Sequence, residues 1–356
     1  MEKSKAGKPV TLRDIARETG YSINTISHAL RFKDDISQET GEMIRQRARE
    51  MGYTGNQIAS SLRSGRTHLL AVILGGMSNP FYGIMADTIQ DAAQAAGYSL
   101  IILCSRDDSE MEAKLVAQAI SRQVDGIILF PTAGSAETIQ RLMDSGTPFV
   151  LMARYLTEGE ADSVVCDEAH GAYIATRHLI DSGCRKLAYI SSTTVVFSSE
   201  RRIEGFTRAC DDCGISPENR AIIISNASIL NRRPALDWQD KLAEDLRRLK
   251  AQGFDGLVVF CDVEAWHTLE VLQSAGDLQP DDFSIVSFDD LGTTLSYPMT
   301  VCSVGGNYEE MAEKCIGLLK ARIQRDSSAP RTIVCPVHLQ CRGSCKRNLA
   351  MIQSTL

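Results

Sequence analysis

Five small polar residues crowd one short stretch: Ser22, Asn24, Thr25, Ser27 and His28 in "YSINTISHALR", residues 21–31. A helix that only solubilises a surface carries Glu and Lys. These side chains instead present hydrogen-bond donors and acceptors without bulk, which is the chemistry that reads base edges in a DNA major groove. Ile23, Asn24 and His28 fall toward the N-terminal end and outer face, where base contacts are expected. Ser22, Thr25 and Ser27 are better placed for phosphates, which set register rather than sequence preference. On pattern alone, the competing reading is a trihelical protein-docking cap.

The eleven cysteines offer a second possible chemistry. The one C-x-x-C, Cys210-Asp211-Asp212-Cys213, has neither a second pair nor a His at ligand spacing. Cys335, Cys341 and Cys345 run along strand-like sequence with no partner pair. Buried or incidental thiols are therefore expected, with no metal and no cofactor. Cys261 precedes His267 by six residues without an orienting partner, so an enzyme built on it is not expected either.

Three helices have to position the polar stretch. Thr11 precedes "LRDIARETG" with Asp14 three positions on, a capping-box variant, and Gly20 stops that helix. Ser22 caps "INTISHALR", and Ser37 caps "QETGEMIRQRAREMG". Leu12, Ile15 and Ala16 share a face, as do Ile26, Ala29 and Leu30, and Ile44, Ala48 and Met51 supply the third. The short turn "ETGYS" between the first two helices has the form of a helix-turn-helix.

Next comes "GYTGNQIASSLRSGRTHLLAVIL". Asn56 is placed to cap a two-turn helix, "QIASSLRS", on which Ile58, Ala59 and Leu62 share a face. So short a helix forms only when packed or bound. Ala59 allows close approach of a twin helix, and Leu62 is the candidate to wedge between base steps in a minor groove. Thr11 and Asn56 join the expected phosphate contacts.

"VTLRDIARETGYSINTISHAL" followed by "GYTGNQIASSLRSGRT" resembles the lactose-repressor (LacI/GalR) family of bacterial transcription regulators, and the match runs collinearly along essentially the whole chain. The resemblance implies a homodimer whose paired heads read a near-palindromic DNA operator while paired hinge helices open its central minor groove. Relatives usually carry Arg where this chain has His28, which points to a different operator sequence.

From Leu69 strands and helices alternate, and the pattern restarts after Asp167; this repetition means parallel sheets flanked by helices. The expected architecture is an all-α helix-turn-helix head with a hinge helix, then an α/β core of two doubly wound parallel-sheet subdomains. The resemblance makes that core periplasmic-binding-protein-like. The expected boundaries are 1–55 for the head, 56–66 for the hinge helix, 67–350 for the core and 351–356 for a tail. Within the core, the N-subdomain takes about 67–165 plus 301–328, and the C-subdomain about 166–300 plus 329–350.

Two such halves form a cleft, and ligands bind beyond the carboxyl ends of the strands. Charged and aromatic residues at strand ends are the effector-binding candidates: Phe81, Tyr82, Ser198, Arg202 and Asp289. Arg202 in "RRIEGF" fits the Arg-x-x-Gly-aromatic pattern that in the family clamps a ligand hydroxyl or carboxylate, and Asp289 matches its ligand-facing acid. Ala153-Arg154 and Cys261-Asp262 stand where many relatives have Asp-Arg and Asn-Asp. Two groups that commonly bond a sugar are thus missing, so the effector is expected to differ from a standard hexose or to be held through other residues.

The 356 residues are 44% hydrophobic and 23% charged, ordinary globular composition. No apolar run is long enough to span a membrane, and no secretory signal is apparent, so a cytoplasmic protein is expected. Residues 1–68 hold 12 basic and 8 acidic residues, a net of +4, against −11 for the rest. A basic head on an acidic body meets a polyanion head first. The last residues, "GSCKRNLAMIQSTL", are too few for the several heptads of a tetramerising coil, which favours a dimer. A ligand-responsive repressor is the leading reading, and a solute-binding or sensor protein of the same core fold without a DNA role is the alternative.

Leu62→Ala removes a wedge and no charge. It is expected to weaken binding to the selected operator far more than binding to random duplex, in titrations of both at one salt concentration.

Overall fold

The computed structural model describes residues 10–30, 35–53, 65–154, 160–191, 197–224, 237–294 and 301–345. The chain divides into two units, residues 1–67 and 68–356. The expected hinge helix, with Asn56, Ala59 and Leu62, and the tail at 351–356 lie outside the described residues.

The first unit contains helices α1 (Leu12–Thr19), α2 (Ile23–Leu30) and α3 (Gln38–Glu50). The backbone N–H and hydroxyl of Thr11 both donate to Asp14 Oδ2, at 3.0 and 2.7 Å. Gly20, at φ +76°, adopts the left-handed conformation that ends α1 and opens the turn. The N–H of Thr25 donates to Ser22 Oγ at 3.1 Å, and that of Thr40 to Ser37 Oγ at 3.3 Å, so both serines cap as their positions predict. Ile15, Ile26, Ala29, Ile44 and Ala48 form the core.

The second unit holds two six-stranded sheets. The first comprises β1 (Leu69–Leu74), β2 (Ser99–Cys104), β3 (Gly126–Leu129), β4 (Phe149–Met152), β5 (Ser163–Cys166) and β11 (Thr332–Cys335). Their spatial order is β11-β5-β4-β3-β1-β2, with every pairing parallel. The second comprises β6 (Leu187–Ser191), β7 (Arg220–Ile224), β8 (Gly256–Val259), β9 (Ser284–Phe288), β10 (Cys302–Gly306) and β12 (Val337–Gln340). Its order is β12-β10-β9-β8-β6-β7, and β12 alone runs antiparallel. Strands such as Leu70–Leu74 are buried on both faces, as a parallel sheet covered by helices requires.

The expected subdomain boundaries need correction at two places. Residues 302–304 pair with β9, and 303–306 with β12, in the second sheet and not the first, and the chain returns to the first only after Gly306. The run "RTIVCPVHLQCR" is two strands rather than one: Thr332–Cys335 joins the first sheet and Val337–Gln340 the second. Pro336 lies between them, where its missing N–H costs no ladder bond. The chain thus crosses between subdomains three times, around Asp167, Asn307 and Pro336. The first and third crossings are tied together, because the N–H of Asp167 donates to the carbonyl of Cys335 at 3.0 Å. Helix α12 (Tyr308–Ile323) buries Met311, Cys315, Ile316 and Leu319 in the first core, so its apolar face is used within the chain.

Helices α7 (Glu168–Asp181) and α8 (Phe197–Asp212) lie very close to one another. A Cβ added at Gly205 would stand 2.0 Å from the carbonyl oxygen of Ala169. Gly205→Ala is expected to destabilise the second unit by about 3 kcal/mol through forced separation of the two helices, read as a drop in Tm of roughly 5–10 °C. Gly317 in α12 has open space around its Cβ position. Gly317→Ala is the control and should raise Tm slightly.

Candidate functional site

On the head, Ser22, Ile23 and Asn24 are exposed, and Ile23, at 45%, shows unusual surface for an isoleucine. Tyr21, 37% exposed, stands beside them and was not singled out from the sequence. Ser22 and Thr25 share a hydroxyl hydrogen bond of 2.8 Å. Two expected contacts are modified. Ser27 is only 7% exposed, which leaves little of its hydroxyl to meet a phosphate; position five of this helix faces the small core. His28, half-buried, has its Nδ1 engaged with Asp35 Oδ2 at 2.5 Å.

In the second unit a cavity of about 840 Å³ lies between the two subdomains, beyond the carboxyl ends of the parallel strands of both sheets. All five expected effector residues line it: Phe81, Tyr82, Ser198, Arg202 and Asp289. Cys261 is buried and does not line it, whereas Ala153 and Arg154 do.

Arg202 is the centre of the site. It is 6% exposed, with its guanidinium 4.0 Å from the ring centre of Phe288 and 4.9 Å from that of Phe260. Its Nε donates to Glu168 Oε2 at 2.6 Å, Nη1 donates to the carbonyl of Phe260, and Nη2 lies 4.0 Å from Asp289 Oδ1. Burial works against the cation, but the Glu168 and Asp289 carboxylates outweigh it and hold Arg202 above its ordinary pKa. Guanidinium geometry lets these partners be met while the rings cover its faces.

Asp289 follows β9 with φ +95°, a conformation rarely adopted by a residue with a side chain. Its N–H donates to the carbonyl of Val304 at 2.9 Å, and its own carbonyl accepts from the Tyr308 hydroxyl at 2.7 Å. Burial lifts its carboxyl from the ordinary 3.8 to about 7, opposed by Arg202 and reinforced by Asp262, Glu168 and Glu264. Arg106, Asp107 and Ala153 share the positive φ and also line the cavity. Four of the eight positive-φ non-glycine residues among those described therefore surround one site, as strained backbone at functional positions tends to.

The aromatic candidates brace each other. Phe81 meets Tyr308 edge-on at 5.6 Å and Tyr82 at 5.4 Å, and Tyr82 meets Phe130 at 5.7 Å. Burial pushes the Tyr82 hydroxyl up to about 12, so it stays a neutral donor.

Sequence reasoning missed Glu168, Asp107 and Tyr308 as lining residues, and treated Arg154 only as a departure from a pattern. Arg154 Nη1 lies 3.7 Å from Asp107 Oδ1 and donates to the carbonyl of Pro131 at 3.3 Å. Position was the available signal: Asp107 and Arg154 follow strands, and Glu168 and Tyr308 each open a helix after a crossing. Asp262, beside the departing Cys261, is structural. It accepts from Ser287 Oγ, from Ser303 Oγ at 2.6 Å and from the N–H of Leu291 at 2.7 Å.

Residues 11–56 match the family described as bacterial regulatory proteins, lacI family. Residues 67–237 match periplasmic binding proteins and sugar binding domain of LacI family, and residues 176–345 match the periplasmic binding protein-like domain. The chain is 28% identical over 340 residues to the HTH-type transcriptional regulator DegA of Bacillus subtilis, covering 94% of this chain and 97% of that one. It is 29% identical over 280 residues to the ribose operon repressor of Halalkalibacterium halodurans, covering 78% and 80%. The solved structure of the lac repressor dimer bound to operator and the anti-inducer ONPF matches with a TM-score of 0.79 at 18% identity, covering 95% and 99%; this is a likeness of fold.

The raised value of Asp289 has a definite sign. The folded protein retains a proton that the unfolded chain has already released. The stability this contributes is full below about pH 4 and is lost as pH rises through about 7. Asp289→Asn is expected to flatten the fall of Tm across that window. The flattening is partial, because Asp262, lifted to about 6 by burial, acts with the same sign. Thermal melts of both proteins at a series of pH values check this, and identical slopes would contradict it.

Proposed function

The chain belongs to the LacI family of bacterial regulatory proteins, and on that premise we propose how its two units act together. It is a sequence-specific DNA-binding transcriptional regulator, a repressor whose operator affinity is set by a small molecule, a sugar or related metabolite. It works in the cytoplasm as a homodimer on a near-palindromic operator. Ile23, Asn24 and His28 contact base edges, and Ser22, Thr25 and Thr11 contact phosphates. Ala59 and Leu62 act in the central minor groove, with Asn56 on a neighbouring phosphate.

One observation carries the reading: a helix-turn-helix that exposes Ile23 and Asn24 is joined in one chain to a cleft of buried charge centred on Arg202. The cleft suits a hydroxylated ligand. Asp289, titrating near neutrality, accepts from hydroxyls when ionised and donates when protonated, while Arg202 and Arg154 favour a carboxylate or ring oxygen. Ligand gripped by both subdomains favours one arrangement of them. If the hinge helices fold on DNA in only one arrangement, ligand and operator are coupled, and the coupling is reciprocal. A solute-binding role alone leaves the head without a use.

Among the described residues that line the cleft, none is set up as a nucleophile. Burial raises the Cys166 thiol, which lines the cleft, well above its ordinary value; outside the cleft it does the same to Cys261, and His267 Nδ1 is turned to Glu270 at 3.3 Å. The proteins it resembles act by binding rather than catalysis, and we assign this chain no enzymatic step.

Selection of purified protein on random duplexes at fixed salt tests the reading. The expected outcome is enrichment of a near-palindrome of roughly 14 to 20 base pairs with a flexible central step. A ligand that raises Tm should then change affinity for that site by roughly 5–150-fold. Arg202→Gln should abolish the ligand's effect while random-duplex binding persists. Failure to enrich any site, with or without cell extract, would remove the repressor reading.

A further inference from the structure

Three donors from distant parts of the chain converge in the second subdomain, His178 on α7, Cys302 at the start of β10 and Cys345 beyond β12, and Cys341 stands beside Cys302. A ring nitrogen of His178 and the sulfurs of Cys302 and Cys345 lie within 4.8 Å of one another. Cys302 Sγ is 3.7 Å from Cys345 Sγ and 3.3 Å from Cys341 Sγ. Two sulfurs bound at ~2.3 Å to one tetrahedral zinc stand about 3.8 Å apart, so the spacing is close to that of thiolates sharing a metal.

Three independent features point the same way. His178 Nε2 is buried and has no hydrogen-bond partner, an orphan of the kind that calls for an occupant. The N–H of Arg342 is directed at Cys302 Sγ at 3.3 Å, the contact that steadies a metal-bound thiolate. Gly343, at φ +95°, turns "CRGSC" so that both of its cysteines face Cys302. Ser344 fixes that turn: its Oγ accepts from the N–H of Cys302 at 2.8 Å and donates to the carbonyl of Ile285 at 2.6 Å.

We propose that His178, Cys302, Cys341 and Cys345 form a zinc site that fastens the segment beyond the last strand onto β10 and α7. A Cys3His set is closed, soft and tetrahedral, which suits zinc in a structural role and does not suit magnesium or calcium. Cys302 and Cys345 are buried while Cys341 is partly exposed, so the metal enters and completes its shell on the Cys341 side. Arg342, between the two cysteines of the turn, pairs with Asp290 and donates to Thr293 Oγ1 at 2.6 Å. The site therefore holds the side chain that anchors the neighbour of the cleft acid Asp289.

The test uses the full chain, reduced and stripped with chelator, then given Zn2+ alone or Co2+ alone. The expected results are one zinc per chain after desalting, a higher Tm with zinc, and a cobalt spectrum with a thiolate charge-transfer band and strong visible bands of tetrahedral geometry. Cys302→Ser and Cys345→Ser should abolish binding, and Cys341→Ser and His178→Gln should weaken it on the order of tenfold or more. Cys213→Ser, at an unrelated position, should leave it intact. Should Cys302→Ser fail to fold, the partly exposed Cys341 and His178 variants still decide the matter. The proposal is overturned if the reduced protein retains no stoichiometric zinc, if the cobalt spectrum lacks the thiolate band, or if neither metal signal moves in the Cys341 and Cys345 variants.

Discussion

A guanidinium enclosed between two phenylalanine rings is the constraint around which the core is arranged. Arg202 keeps its charge at any physiological pH, so burying it demands counter-charge and hydrogen-bond acceptors at fixed positions. Glu168, the first residue of α7, provides the closest, and this forces α7 against α8, where Arg202 sits. Gly205 one turn along makes that approach sterically possible, and Phe206, fully buried, fills the core behind it. The Arg-x-x-Gly-aromatic pattern is thus a packing rule in its own right. Removing either ionic partner would leave a charge stranded in a site that water does not solvate well, at a cost of about 3–5 kcal/mol.

The same cluster lies where the two subdomains join. Glu168 follows the first crossing, Tyr308 follows the second, and the carbonyl that Tyr308 holds belongs to Asp289. Phe81 and Ile84 at the start of α4 (Pro80–Ala95) pack against both the core of their own subdomain and that of the other. On the proposed reading, a ligand competing for Arg202 or Asp289 would pull on residues that define the relative position of the halves. The strained backbone at Arg106, Asp107, Ala153 and Asp289 fits this view, since these turns aim polar groups inward from strands that would otherwise end pointing away.

The extent to which this could be read in advance follows from the range of each interaction. Caps, turns and strand–helix alternation are local, and Thr11, Ser22, Ser37 and the repeated β-α pattern were legible. Sheet membership is not local. "TVCSVGGN" is apolar enough for either sheet, and only pairing with β9 settles which one takes it. Nor is the crossing at Pro336 apparent locally, where "RTIVCPVHLQCR" reads as one strand. Arg202 and Asp289 were found through a resemblance, whereas Glu168 and Asp107 are acids of ordinary context whose role exists only in three dimensions. The four metal-type donors were the least legible, because only Cys341 and Cys345 are close in sequence and a three-residue gap between cysteines means little alone.

The head follows a different logic from the core. Among the described residues its apolar interior rests on five buried ones, Ile15, Ile26, Ala29, Ile44 and Ala48, which is little burial for a small folded unit. Small units of this kind lean on local order, and the capping contacts of Thr11, Ser22 and Ser37 provide it. The outer face of α2 adds little to stability: Ile23 and Asn24 are exposed, and no ion pair links α2 to α1 among the described residues. An exposed isoleucine beside a short amide is a poor choice for a surface that meets only water. It suits the proposed role, because apolar contact with thymine methyl groups and a paired donor and acceptor for adenine edges are what a groove asks for. The hydrogen bond between Ser22 and Thr25 holds two hydroxyls at the entry of that helix before any partner arrives, so less side-chain freedom is lost on contact.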